Sequence, residues 1–125
     1  MWKNTLAAFC GLFLFFTASV HAEERIYQTG KASYYGYAHA GRRTASGSIF
    51  NPQELTAAHN KLPMGTIVEV RSVATGQSVV VKITDTGGFA KYGRIIDLSE
   101  KAASLIGITR KNGIGKVELR ILHNA

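Results

Sequence analysis

The sequence predicts a small, mainly β protein whose strands close into a barrel, and three observations support this class. Residues 79–83 form a β-branched run typical of a buried strand. Residues 66–71 and 116–122 alternate apolar and polar side chains, as half-buried strands do. The 125 residues suffice for one domain, and their single cysteine, Cys10, cannot form an intrachain disulfide. A small domain without disulfides needs a well-packed core or a closed sheet.

Residues 1–22 are predicted to be a signal peptide. Lys3 precedes an uncharged apolar run, and Val20-His21-Ala22 has small residues where a signal peptidase recognises them. Cys10 is not expected to be lipidated, because it lies early and follows the large Phe9. The run is short for a membrane span, which needs roughly 20 apolar residues; an uncleaved anchor is the alternative. We therefore expect an exported chain with a short lead over 23–29 and one domain over 30–123.

The exported chain is predicted to be basic. Cleavage after Ala22 leaves 14 Lys and Arg against 8 Asp and Glu, a net charge of +6. This charge would attract the protein to anionic surfaces, and solubility explains it equally well. The basic residues do not interleave with aromatic ones, so nucleic-acid binding is not expected. The histidines lack ligand spacing and no thiolate is available, so no metal or cofactor is predicted.

The elements follow in order along the chain. Residues 30–37 predict a first strand, and 38–48 a loop. Residues 51–59 predict a turn and a short helix, and 75–78 predict the hairpin turn between the strands over 66–71 and 79–83. Asp97 or Ser99 is expected to cap a helix that runs through Ile106 and ends at Gly107.

The β-branched run ends at Asp85, which is followed by Thr86-Gly87-Gly88. An acid at the junction between a buried strand and an open turn can be partly buried and still reach a ligand. The alternative is that its side chain only caps the turn.

The chain also contains a weak internal repeat. Residues 55–70 and 98–119 each read as a short helix, a glycine turn and a strand that carries Val-Glu. Two copies of a strand-rich unit fit a small closed barrel with pseudo-twofold symmetry.

Several ordered motifs resemble the rare lipoprotein A family over nearly all of residues 30–122. They are Gly30-x-Ala32-Ser33-x-Tyr35-Gly36, Gly41-x-Arg43-Thr44-Ala45-x-Gly47, Leu55-Thr56-Ala57-Ala58-His59-x-x-Leu62-Pro63-x-Gly65-Thr66, Gly76-x-Ser78-Val79-Val80-Val81, Asp85-x-Gly87 and Arg94-Ile95-Ile96-Asp97-Leu98-Ser99. The resemblance implies a six-stranded double-psi β-barrel with short helices, a fold shared with the expansins. It also implies an exported cell-wall protein, a lytic transglycosylase that cleaves the MurNAc-GlcNAc bond of peptide-free peptidoglycan strands and leaves 1,6-anhydromuramic ends.

The resemblance further implies which residues act. Asp85 matches the catalytic aspartate, the expected general acid and base, and Asp97 matches an aspartate that faces the same groove in expansins. One acid could suffice, because the C6 hydroxyl of N-acetylmuramic acid attacks its own C1 without water, whereas hydrolysis usually needs two carboxyl groups. The residues expected to bind substrate are Tyr35, Arg43, Thr44, Ser48, His59 and Arg94.

Each of these residues also has a plain structural interpretation. Asp97 could be a helix N-cap, and His59 could be a satisfied structural histidine instead of a partner of Asp85 or sugar. Tyr35 could stack on a sugar ring or pack in the core. Arg43 and Arg94 could bind carboxylates or acetamido groups, or be solvated surface charges.

Two motifs depart from the family pattern. Ser48 stands where active members usually have a functional glutamate, and Thr86-Gly87-Gly88 replaces the usual Arg-Gly-Pro. A serine cannot protonate a leaving group, and the absent arginine removes a planar donor. The alternatives to turnover are a non-catalytic, expansin-like glycan-binding protein and an interaction protein of a wall-synthesis complex. We expect peptidoglycan glycan strands as the partner and a monomer, located in the periplasm or outside the cell.

Overall fold

The computed structural model describes residues 25–35, 39–87 and 93–125, which form a closed six-stranded barrel and one helix. The predicted signal peptide lies outside the described residues. In chain order the elements are β1 (Gln28–Tyr35), β2 (Thr56–His59), β3 (Ile67–Ser72), β4 (Ser78–Asp85), β5 (Arg94–Ser99), α1 (Glu100–Leu105) and β6 (Ile114–His123). Around the barrel the strands follow the order β1-β5-β2-β4-β3-β6. The predicted mainly β barrel is therefore confirmed.

The strand pairing has an internal twofold pattern. Two pairs are parallel, β1 with β5 and β2 with β4, and the other four are antiparallel. Exchanging β1 with β4, β2 with β5 and β3 with β6 converts this set of pairs into itself. This is the double-psi arrangement that the resemblance implied.

The barrel interior is filled by the side chains that the alternating patterns predicted to point inward. They are fully or almost fully buried on three consecutive neighbours of the ring, β4, β3 and β6. Aliphatic packing at this density supplies the stabilisation that a domain without disulfides requires. The residues concerned are Val68, Val70, Val79, Val81, Ile83, Val117 and Leu119.

Within residues 51–59 the predicted turn is present, but the predicted short helix is wrong. The turn occupies the first half of this range, where the Glu54 N–H donates to the Asn51 carbonyl at 3.1 Å. The second half is β2, which pairs with β4 on one side and β5 on the other. Hydrogen bonds to two neighbouring strands outweigh the helix propensity of Ala57 and Ala58, which is only a weak local preference.

The start of α1 decides between the two predicted capping residues. Ser99 is the N-cap, and its hydroxyl accepts a hydrogen bond from the Ala102 N–H at 3.3 Å. Asp97 instead lies within β5, a strand that the sequence analysis did not predict. The helix ends one residue earlier than predicted, before a C-cap at Ile106 and a left-handed Gly107 with φ of +86°.

The remaining boundaries differ little from the predictions. β1 begins two residues earlier than predicted, whereas Gly36 and Tyr37 lie outside the described residues. The hairpin between β3 and β4 is confirmed, and its turn contains Gly76 at a φ of +75°. Within the described ranges, no helix is both long and apolar enough to traverse a bilayer.

Candidate functional site

Both candidate aspartates lie at one level of the sheet, separated by β2. Ala58 is the register partner of Asp85 on β4 and of Asp97 on β5. Neighbouring strands are about 4.8 Å apart, so the two aspartate Cα atoms are separated by about 10 Å. Ala57 and its register partner Leu98 belong to the core, so Ala58 and Asp97, the next pair along, face away from it, and Ala58 is itself only 3% exposed. The two aspartates thus lie on either side of a small, almost fully buried alanine.

Asp85 is held by the main chain. It ends β4 half-buried, and its Oδ1 accepts hydrogen bonds from the Ala45 N–H at 3.0 Å and the Thr86 N–H at 2.9 Å. Among the described residues, Oδ2 has no hydrogen-bond partner. The turn-capping interpretation and the functional one are therefore compatible, because one oxygen anchors the loops and the other is left for a ligand.

The loop that Asp85 anchors contains a triangle of hydroxyl groups. The side-chain oxygens of Thr44, Ser46 and Ser48 lie 2.9 Å from one another in all three pairs. The loop is fixed further by the Ser46 N–H, which donates to the Thr84 carbonyl at 3.0 Å, and by the Arg43 guanidinium, which donates to the Gly47 carbonyl at 2.6 Å. The sequence pattern does not single out Ser46, because a lone loop serine carries no signal.

The triangle limits what Ser48 can do chemically. Three hydroxyl groups supply three protons, and three mutual contacts can use all of them. The Ser48 hydroxyl is therefore satisfied inside its own loop. It is neither ionisable near neutral pH nor an evident proton donor to a ligand.

Asp97 is held by side chains. The Ser33 hydroxyl on β1 donates to Asp97 Oδ1, and Arg94 Nη1 donates to the Ser33 hydroxyl oxygen at 3.0 Å. Arg94 Nη1 also lies 3.8 Å from Asp97 Oδ1, and these side chains are 29% and 18% exposed. The three side chains thus form a partly buried hydrogen-bonded series, Arg94 to Ser33 to Asp97. Ser33 was not selected as a site residue from the sequence.

His59 belongs to a different environment. It is almost fully buried, its Nε2 lies 2.8 Å from Gln28 Oε1, and its Nδ1 accepts the N–H groups of Lys61 and Leu62 at 3.0 and 3.1 Å. Because Nδ1 accepts, the proton lies on Nε2. Burial, and then the charge of Lys61, lower the pKa of His59 below its ordinary value of 6.5. In this geometry the ring contacts Gln28 and not Asp85.

A cleft of about 700 Å³ runs beside the anchored loop on the face that contains Thr56 and Lys82. Asp85 adjoins this cleft through Thr84 but does not line it. Tyr35 ends β1 as the register partner of Ser99. The described residues contain no group of histidine, cysteine and acidic side chains that could hold a metal ion. The cleft is lined by Thr44, Ser46, Ser48, Ile49, Phe50, Asn51, Glu54, Leu55, Thr56, Met64, Gly65, Lys82, Ile83 and Thr84.

The barrel topology and the two aspartates on either side of β2 define a double-psi barrel protein with two acids in one region of its sheet. Residues 27–119 match the family model described as lytic transglycolase, and the chain belongs to that family. This match covers every strand of the barrel except the end of β6.

Similar proteins carry the same description. The chain is 54% identical over 93 residues to a probable endolytic peptidoglycan transglycosylase RlpA from Synechocystis, which covers 74% of this chain and 28% of the relative. It is 39% identical over 109 residues to the endolytic peptidoglycan transglycosylase RlpA of Haemophilus influenzae, a match that covers 87% of this chain and 37% of the relative. It thus spans well under half the length of either relative. A mutant Clavibacter michiganensis expansin, solved in complex with cellohexaose, superposes with a TM-score of 0.60 at 19% identity. The superposition covers 77% of this chain and 51% of the expansin.

Proposed function

We propose that this protein is an endolytic peptidoglycan lytic transglycosylase that cleaves the MurNAc-GlcNAc bond with Asp85 as general acid and base. One observation carries the proposal: Asp85 is fixed through Oδ1 by two backbone N–H groups, and Oδ2 stays available beside the cleft. The family and the names of the relatives support the same reaction. A partly buried acid in a rigid frame suits proton transfer to a glycosidic oxygen.

The proposed reaction needs one carboxyl group. The Asp85 carboxylic acid donates its proton to the glycosidic oxygen as the bond from that oxygen to C1 breaks. The C6 hydroxyl of the same N-acetylmuramic acid residue then attacks C1, and Asp85 accepts its proton. The C6–O–C1 bond closes the 1,6-anhydro ring, the leaving sugar carries the new hydroxyl, and no water is consumed.

Asp97 is proposed to assist from the other side of Ala58. Its Cα atom lies at the same level of the sheet as that of Asp85, at a distance of about two strand spacings. A fixed negative charge there would stabilise the positive charge that develops on the sugar ring in the transition state. Arg94 would position Asp97 through Ser33.

The other expected binding residues enter the proposal unequally. Thr44 and Ser48 would contact sugar as part of the cleft wall, and Arg43 would support the loop through Gly47. Tyr35 stays a prediction for stacking on a sugar ring. His59 would act through β2, since both of its ring nitrogens contact protein.

A second candidate function is glycan binding without cleavage. The observation that favours it is Ser48, which occupies the position of a family glutamate and whose hydroxyl is satisfied within the loop. The expansin that shares the fold was solved in complex with cellohexaose, a glycan. Either candidate would place the protein at the cell wall after export. An interaction protein of a wall-synthesis complex, the third alternative, would not need to bind purified sacculi.

The deciding experiment is product analysis. The chain without residues 1–22, with matched Asp85→Asn and Ser48→Glu variants, is incubated with peptide-free glycan strands, and 1,6-anhydromuramic ends are detected by mass spectrometry. Asp85→Asn keeps the Oδ1 acceptor that anchors the loops and removes only the ionisable oxygen. We expect anhydro ends from the native protein and a loss of about 100-fold or more in the Asn variant.

The outcomes separate the two candidates. Anhydro ends that form equally well with Asp85→Asn would contradict the acid role. If the native protein binds strands without cutting them and Ser48→Glu produces anhydro ends, the binding function is correct for the native chain, and one carboxylate is what it lacks.

A further inference from the structure

Three cations lie side by side on the outer face of the barrel, next to Asp97. Lys31 on β1 is the register partner of Lys116 on β6 and of Arg94 on β5. Residues that are directly opposite in a sheet project from the same face. Lys31 and Lys116 are both exposed. We call Lys31 and Lys116, with Arg94 at the end of the row, the cation row.

The fold alone does not explain this arrangement. Like charges directly opposite on neighbouring strands are destabilising. Within the described part of the chain neither Lys31 nor Lys116 forms an ion pair. The nearest acid along β6 is Glu118, whose Oε1 lies 3.9 Å from Arg120. The two ammonium groups therefore contribute repulsion without an ionic partner among the described residues.

The cation row lies close to Asp97, one of the two aspartates proposed to act in catalysis. Lys31 and Ser33 are two residues apart on one strand, a separation of about 7 Å. Ser33 contacts both Asp97 and Arg94, so Arg94 belongs to the cation row and also supports the aspartate. A polymer that runs over β2 from Asp85 to Asp97 would continue toward β1, where Lys31 lies about 7 Å from the level of Ser33 and Asp97.

We propose that Lys31 and Lys116 bind the free carboxylates of the glycan, the lactyl groups on its muramic acid residues. The inference rests on the proposed function and names a feature of its substrate. An ammonium is a compact point charge that suits a flexible, solvated carboxylate. When a peptide is attached, the lactyl carboxylate becomes a neutral amide, and this attraction is lost. The cation row would thus distinguish a free lactyl carboxylate from its amide.

The test compares binding to two forms of one ligand. Peptide-free strands are used as isolated, or after carbodiimide coupling to ammonia, which converts each lactyl carboxylate to a carboxamide. The native protein is compared with Lys31→Gln/Lys116→Gln and with Arg25→Gln/Lys101→Gln, a control that removes two exposed charges elsewhere. Dissociation constants are measured at fixed ionic strength, because such attraction is screened by salt.

We expect the Lys31→Gln/Lys116→Gln variant to bind untreated strands about three- to tenfold more weakly. Amidation should weaken binding by the native protein to a similar extent. It should change binding by the variant less than about twofold, because the variant no longer has the lysines that would contact the carboxylates. The control variant should keep native affinity for both ligands. Its thermal midpoint and that of the lysine variant show that both proteins are folded.

Three results would overturn the inference. They are native affinity in the lysine variant, an equal loss in the control variant, or an equal loss on amidated and untreated strands. Tighter binding to a phosphate polymer than to glycan of equal charge would assign the row to a different polyanion and overturn it as well. Carboxylate-dependent binding by a native protein that forms no anhydro ends would refute the catalytic proposal alone.

Discussion

Asp85 and Asp97 occupy equivalent levels of the sheet on the two sides of Ala58, but different parts of the protein hold them. Backbone N–H groups of Ala45 and Thr86 hold Asp85. The Ser33 side chain, itself bound by Arg94, holds Asp97. A backbone donor is present whatever residue occupies its position, except proline, whereas a side-chain donor depends on one residue type. The environment of Asp85 is therefore set by the loop conformation, and that of Asp97 by the identity of Ser33.

The largest effect should come from removing the acceptor at position 85. Asp85→Ala leaves the Ala45 and Thr86 N–H groups without their shared acceptor, so we expect a loss of about 2 kcal/mol in the free energy of unfolding. Asp85→Asn keeps an oxygen at that position and should lose about 0.5 kcal/mol. Urea denaturation of the two variants measures the difference. Equal losses would mean that the carboxylate charge, and not the acceptor, anchors the loops.

A smaller effect should appear at Asp97. In a double-mutant cycle of Ser33→Ala and Asp97→Asn, we expect a coupling of about 1 kcal/mol, because the two side chains share one hydrogen bond. The matched cycle of Ser33→Ala with Asp85→Asn should give a coupling near zero, since those residues share no partner. Similar coupling in both cycles would mean that the two aspartates belong to one network, and the comparison above would be wrong.

The smallest effect concerns β2, the strand between the two aspartates, and depends on pH. The pKa of His59 is lowered in the folded protein, so the unfolded chain binds a proton at His59 first as the pH falls. The stability contributed by neutral His59 is complete above pH 6.5 and is lost as the pH falls from there through the lower folded pKa. The unfolding free energy of the native protein should fall more steeply below pH 6.5 than that of His59→Asn.

Denaturant titrations at several pH values check this prediction. Other titrating groups are common to both proteins, so only the difference in slope reports His59. Parallel curves would show that protonation of His59 is not coupled to folding. Normal anhydro-end formation by a folded His59→Asn variant would further separate its structural role from catalysis.

The sequence predicted the strands that carry a clear local pattern. The β3–β4 hairpin and the alternation of β6 follow from local patterns, and Ser99 was one of the two expected caps. β2 was wrongly predicted as a helix, because its four residues are too short for any period and both partners are distant. β5 was missed because Asp97 and Ser99 resemble a cap that precedes a helix.

The residues of the candidate site also differ in whether a local sequence pattern indicates them. Asp85 was selected because a buried run ends there, and this signal is visible in one stretch of sequence. Ser33 and the Ala45 N–H have no local signal, because their importance arises from Asp97 and Asp85, which are 64 and 40 positions away. Lys31 and Lys116 look like ordinary surface charges until strand register places them together.

The order of strands around the barrel also determines when the chain can fold. Both neighbours of β1 are β5 and β6, which come from the last third of the sequence. β1 therefore has no hydrogen-bonded partner until the chain has been synthesised through β5, which ends at Ser99, and closing such long loops is slow. A growing chain with this topology leaves the ribosome with its first strand unpaired. That is the state in which a polypeptide can be threaded through a membrane channel.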